Sequence, residues 1–282
     1  MKIKAYFVTY DNDLELNKTL KSFEKSGIKK YDCEITVINN FKDAPVILDD
    51  INLPIKVVTN QTRPSFSTGH LARNWNECLI EGFKSVDEPD SDIVILSQND
   101  VEYNEDVIDT LIEYHQKYSF ISYGCGDAFH SYTIDAIRSV GLWDERFCNI
   151  GWQDCDYFLR QLIYNKEHSS VNDPLHHRVH NRIHFDFVDF ERFSGFNRSD
   201  PHHMKSLEHH NTSMNVFIKK WGYGIPGVHW EGQIKVDIGY NTALEITPDY
   251  VLKSPQWMMY PFFESKIPDL KNKNYINYET QD

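Results

Sequence analysis

Three places in the 282-residue sequence put polar side chains directly after an apolar run: Thr9-Tyr10-Asp11, Asn39-Asn40 and Gln98-Asn99-Asp100. Strand ends in an open α/β sheet are where ligands bind, because the loops there diverge into a crevice. The third place is the most suggestive. In ILSQND (95–100) an apolar strand runs straight into the carboxylate of Asp100. Such an end suits a divalent cation bound to a diphosphate, since a hard cation wants oxygen ligands and takes the rest from phosphate and water. The competing reading of the same residues is a turn capped by Asn and Asp.

A second constellation is GWQDCDYFLR (151–160), where a glycine turn feeds a helix that begins with Asp154 and Asp156. Carboxylates at a helix start are common as caps and dipole partners. The chemical alternative is a general base projecting into a cleft, and Asp154 is the candidate. Asp156 lies two residues on and points roughly 160° to 200° away on a helix, so the two carboxylates cannot easily serve one hydroxyl. Asp156 is expected to be structural or to orient an acceptor. There is no GxGxxG and no Walker loop, which lowers dinucleotide and P-loop readings.

The elements that must position these groups follow from the apolar pattern. Residues 3–9, 34–39, 55–59 and 92–97 read as strands, the last being the most apolar and expected mid-sheet. Asp13 is expected to cap a helix through Leu14, Leu16, Leu20 and Phe23 that ends near Gly27. Further helices are expected over 69–83, after an Asn104 cap, and at 215–221. This alternation predicts an α/β fold with a mostly parallel central sheet flanked by helices. Residues 168–210 hold nine of the thirteen histidines with poor periodicity, and read as functional loops. Most of those histidines are expected to be solvated or to contact an acceptor.

Composition bounds the function. Hydrophobic residues make up 40% and charged residues 25%, which excludes a disordered chain. The net charge of −13 argues against a non-specific nucleic-acid or anionic-membrane partner. No apolar run approaches the ~18 residues of a membrane span. The N-terminus reads as a first strand, not a signal peptide. Five scattered cysteines without a CxxC pair indicate neither a disulfide framework nor a cysteine zinc site. A soluble, cytoplasmic protein is the expectation.

Seven segments, in order, resemble the GT-A fold glycosyltransferases, especially those similar to glycosyltransferase family 2. They are AYFVTYDND, EITVINN, STGHLARNWNECL, ILSQNDVEYNEDVIDTLI, SYGCGDAFHSYTIDAIRSVGLWDERF, GWQDCDYFLR and NVFIKKWG. The resemblance implies a Rossmann-like GT-A domain over 1–225, with a nucleotide-binding part over about 1–100 and an acceptor part over about 101–225. Residues 226–282 would be a C-terminal extension packed on the core. It implies an enzyme, a hexosyl- or pentosyltransferase moving a sugar from a nucleotide sugar, UDP-sugar being expected, to a glycan, glycoconjugate or other hydroxyl acceptor.

The resemblance also implies roles. Thr9, Tyr10, Asp11 and Asn39 would hold base and ribose, with Arg73 a further donor contact. The family's DxD metal motif matches Gln98-Asn99-Asp100, where Gln98 replaces the first acid. Asp100 would then bind Mn²⁺ or Mg²⁺ with one charge fewer than usual. Gly126 and Asp127 would face donor and acceptor, with Trp152 and Asp156 on the acceptor side. Asp154 matches the base of inverting members. His177 is the candidate metal-binding histidine beyond that base, with His176 and His180 as rivals. The alternatives are a sugar nucleotidyltransferase and a non-catalytic nucleotide- or glycan-binding module. Residues 9–17 lack the glycine, arginine and lysine that the former would use to hold a triphosphate.

Overall fold

The computed structural model describes residues 1–61, 71–105, 107–123, 128–145, 147, 152–154, 156–157, 213, 215, 229–230 and 233–234. Its strands are β1 (Lys2–Thr9), β2 (Asp32–Asn39), β3 (Ile55–Thr59), β4 (Ile93–Gln98), β5 (Phe120–Tyr123) and β6 (Phe129–Tyr132). They form one sheet in the order β3-β2-β1-β4-β6-β5. The first four strands are parallel, and β6 runs antiparallel to both β4 and β5. The sheet is therefore mixed but mostly parallel, as the alternation of elements implies.

Side chains of β1 alternate between two cores, which is why the strand is apolar almost throughout. Ile3, Ala5 and Phe7 pack with Leu16, Leu20 and Phe23 of α1 (Asp13–Lys25) and with Val107, Ile108 and Leu111 of α3 (Val107–His115). Tyr6 and Val8 face the other way. They pack with Ala72, Trp75, Cys78 and Leu79 of α2 (Leu71–Phe83), and with Ile137 and Val140 of α4 (Ile134–Val140). Asn12, not Asp13, caps α1: its side chain accepts from the Glu15 N–H at 3.4 Å. Asp13 instead stands in the first turn and accepts from the Ile47 N–H at 3.0 Å.

The β5–β6 hairpin and α4 carry too few residues for periodicity to reveal them. Each of these strands has four residues and α4 has seven. Of the helix expected at 215–221, Asn215 is helical, as is Ser213 just before it. The boundary expected at 225 lies outside the described residues. Beyond it are a two-residue pair, β7 (His229–Trp230) and β8 (Gln233–Ile234), which run antiparallel. Among the described residues no helix is long and apolar enough to cross a membrane.

Helix α2 lies unusually close to β4. A Cβ added at Gly82 would stand 2.5 Å from a Val94 methyl, and Val94 is fully buried. Alanine is favoured over glycine in a helix by about 1 kcal/mol, but overpacking a stiff buried valine costs about 1–3 kcal/mol. Gly82→Ala is therefore expected to lower the unfolding midpoint in urea, and Gly82→Ala/Val94→Ala to show a favourable coupling in a double-mutant cycle. An additive cycle would contradict the close packing.

Candidate functional site

The register lines up the polar strand ends. Thr9 of β1 pairs with Asn39 of β2, Asn39 pairs with Thr59 of β3, and Val8 pairs with Gln98 of β4. Chain order departs in opposite directions from β1, to β2 on one side and to β4 on the other. That is a topological switch point, where loops leave to opposite faces and a crevice opens beyond the strand ends. The structure thus gathers Thr9, Tyr10, Asp11, Asn39, Gln98, Asn99 and Asp100 at one edge.

Asn99 joins the two central strands. Its amide donates to the Thr9 hydroxyl at 3.2 Å and to the Asn12 carbonyl at 3.4 Å. Asp100 is held from both sides by one residue of α1. The Thr19 hydroxyl donates to the Asn99 carbonyl at 2.8 Å and accepts from the Val101 N–H at 3.1 Å. Ser22 accepts from the Tyr103 N–H at 3.1 Å, and the Tyr103 hydroxyl donates to Ser97 at 2.7 Å. Burial, with a smaller effect from the charge of Asp100, pushes the Tyr103 hydroxyl well above its ordinary range. That phenol is a fixed neutral brace.

The asparagines at the edge divide by role. Asn39 spends its amide locally, donating to the Ala44 carbonyl at 2.9 Å and accepting from the Phe41 N–H at 2.9 Å. Asn40 accepts from the Asn60 amide at 3.2 Å. Two further positions have unmet capacity. Asn40 is 2% exposed and Asn74, in the first turns of α2, is 1% exposed. Among the described residues, neither polar atom of the Asn74 amide has a hydrogen-bond partner, and neither has the Asn40 amide nitrogen. Ile38, two residues before Asn40, packs against the core that holds Cys78, one helical turn after Asn74. Both asparagines therefore belong to the α2 face of the sheet, at the same edge. The expected donor contacts include Asn39 of the doubled Asn39-Asn40, and Asn74, beside Arg73, is not among them. Strand alternation was the available signal for Asn40.

Tyr10 packs edge-on to Phe41, with ring centroids 5.3 Å apart. Asp11 follows with φ of 44°, a left-handed backbone that Asp tolerates better than most residues. Arg73 points its Nε to within 3.8 Å of a Glu145 carboxylate oxygen.

The second constellation sits on an aromatic floor. Trp152 is buried with φ of 70°, and Gln153, Asp154, Asp156 and Tyr157 are helical. The Asp156 N–H donates to the Trp152 carbonyl at 2.9 Å. The Tyr157 ring stacks on Trp143 with centroids 4.4 Å apart and planes 5° from parallel. Asp156 is fully buried, whereas Asp154 is half-exposed. The two carboxylates are thus separated by burial as well as by direction. Gly126, Asp127, His176, His177 and His180 lie outside the described residues. Among the described residues no group of three His, Cys, Asp or Glu side chains is placed to hold a metal ion. Asp100 offers a carboxylate just past the end of β4, the donor type that a hard cation takes.

No protein-family model matches the sequence, and no curated protein matches it. Solved structures similar to the chain include S. aureus TarS 1–349 in complex with UDP-GlcNAc. That match covers 78% of this chain and 66% of the other, at 11% identity and a TM-score of 0.45. TarS 1–349 is also similar over 58% of this chain and 56% of its own, at 10% identity and a TM-score of 0.41. The catalytic domain of Drosophila β1,4-galactosyltransferase 7 with xylobiose matches over 70% of this chain and 71% of its own, at 11% identity and a TM-score of 0.43. The chain spans less than two thirds of the length of these TarS structures. The fold described above rests on strand order and register, not on these similarities.

Thr19 is fully buried and its hydroxyl makes both bonds that flank Asp100. Thr19→Val keeps the shape and removes them. Leaving buried backbone groups unpaired is expected to destabilise the fold by about 1–3 kcal/mol. Chemical denaturation checks this; an unchanged midpoint would show that Thr19 does not hold the Asp100 segment.

Proposed function

We propose that the protein is an inverting glycosyltransferase that moves a sugar from a nucleotide sugar, with UDP-sugar the expected donor, to a hydroxyl acceptor. The observation that carries this reading is the switch-point edge, where polar strand ends converge beside two buried asparagine amides with unmet hydrogen-bonding capacity. Buried polar groups are nearly always bonded, so unmet ones at a crevice mark where a ligand's polar groups belong. The order of family-like segments in the sequence supplies the reaction class.

In this reading Thr9, Tyr10, Asp11, Asn39 and Arg73 lie along the nucleotide, and Asn40 and Asn74 supply donors and an acceptor to it. Asp154 takes the proton of the acceptor hydroxyl as that oxygen bonds to the anomeric carbon. The carbon–oxygen bond to the diphosphate breaks on the opposite side, and the diphosphate leaves with the electron pair. Asp100 would hold Mn²⁺ or Mg²⁺ against the diphosphate, with His177 or a neighbouring histidine contributing. The cation's chemistry there is charge compensation on the leaving group. Half-exposed Asp154 is accessible to an acceptor, while buried Asp156 suits a structural role. Trp152 and Asp156 would act on the acceptor side by shaping the turn that presents Asp154.

Incubation with a panel of nucleotide sugars, with and without Mn²⁺, tests the reading through the product released. Free UDP is expected; pyrophosphate would indicate a nucleotidyltransferase, and no release a binding module. Asp154→Asn is expected to keep UDP-sugar affinity and to cut transfer by a factor of about 10² or more, the usual scale for losing a general base. Near-normal transfer by that variant, with a collapse in Asp156→Asn, would move the role to Asp156. Near-normal transfer in both would overturn the mechanism.

A further inference from the structure

Asn76 makes three long-range hydrogen bonds from one side chain. It is fully buried on α2. Its amide oxygen accepts from the Trp143 N–H at 2.7 Å. Its amide nitrogen donates to the Trp143 carbonyl at 2.8 Å and to a Glu145 carboxylate oxygen at 3.2 Å. One side chain thereby satisfies both backbone groups of a residue 67 positions away, as a neighbouring strand would.

What Asn76 clips in place is the support of Asp154. The Trp143 ring lies flat against Tyr157, and its indole N–H donates to the Tyr132 hydroxyl at 3.0 Å. The Tyr157 hydroxyl donates to the Gly141 carbonyl at 3.2 Å, two residues before Trp143. Tyr157 is thus gripped on its face and at its tip by the 141–143 segment. Asp154 stands three residues before Tyr157 on the same helical turn, so a shift of Tyr157 is a shift of Asp154. Helix α2, which carries Asn76, also carries Asn74 and Arg73, and Arg73 reaches Glu145, the third group bound by Asn76.

We propose that Asn76 is a positioning residue that fixes Asp154 relative to the donor edge, acting through Trp143 and Tyr157. This rests on the reading of Asp154 as the base. A misplacement of about 1 Å in a reacting group is enough to lower a rate by about 10²-fold without loss of binding. The signature of a positioning role is therefore a fall in kcat at constant donor affinity.

The test measures UDP-sugar transfer by Asn76→Ala, Asn76→Asp, Trp143→Phe and Asp154→Asn at temperatures where circular dichroism shows each folded. Asn76→Asp retains the acceptor for the Trp143 N–H and guards against failure of the alanine variant to fold. Trp143→Phe leaves the backbone clip and shrinks the stack. The expected result is a kcat reduced about 10-fold or more for both Asn76 variants and for Trp143→Phe, donor KM and Kd within about twofold, and a weakened near-UV signal from the stacked rings. A normal kcat in folded Asn76 variants overturns the proposal, as does a loss confined to donor KM. If Asp154→Asn transfers normally, the base assignment itself fails, whatever the Asn76 variants do. An inactive Asp154→Asn alongside fully active Asn76 variants leaves the base in place and removes only this proposal.

Discussion

The amide of Asn99 donates to the Thr9 hydroxyl and ties the end of β4 to the end of β1, the two strands between which chain order reverses. Much of the site hangs from that tie. It sets the level of Asp100 one step beyond the strand ends. Thr19 holds the backbone on both sides of that carboxylate. On the opposite face α2 presses onto β4 at Gly82, and buried Asn74 stands in its first turns. One helix thereby serves both halves of the proposed chemistry, through Asn74 and through Asn76, which bonds the backbone of Trp143.

The two ends of the sheet solve the problem of polar burial differently. At the N-terminal end Lys4 is 3% exposed and fully engaged: its ammonium bonds Asp90 at 2.5 Å and the Glu81 carbonyl at 3.2 Å. Bonds from Lys4, Lys84 and Lys2 hold the Asp90 carboxyl well below the usual carboxylate range. At the C-terminal end the Asn40 and Asn74 amides are as deeply buried but, among the described residues, incompletely bonded. Unmet hydrogen bonds inside a protein cost about 1–3 kcal/mol each. A fold that satisfies one end and not the other concentrates that cost where a ligand can relieve it. Among the described residues, two of the four non-glycine residues with positive φ, Asp11 and Trp152, also fall at proposed functional positions.

Much of this was legible in the sequence. The parallel strands are apolar runs bounded by polar residues, and β3 falls at 55–59 as read. The long helices show their apolar faces plainly. The hairpin at 120–132 did not announce itself, because four-residue strands give too little alternation and their pairing is decided by contact with β4. The strand-end residues were visible because an apolar run that stops at Asn, Gln or Asp is a local signal. Asn76 was not, since its partners lie 67 and 69 residues away and nothing in its own segment points to them. Asn39 stands at the strand end, yet the loop after β2 consumes its amide, and it is the hydrogen bonding of the folded chain that shows its neighbour Asn40 left with capacity among the described residues.

The central claim is that the switch-point edge, on the α2 face, receives a nucleotide. Side-chain amide resonances report on it directly. In a titration of the isotopically labelled protein with UDP, the Asn40 and Asn74 amide signals are expected to shift strongly and saturably. The Asn17 amide is bonded to the Asp13 and Ile47 carbonyls at 2.7 and 2.9 Å and is expected to stay still. Saturable binding that moves Asn17 and leaves Asn40 and Asn74 unmoved, or no binding at millimolar UDP, would contradict the account.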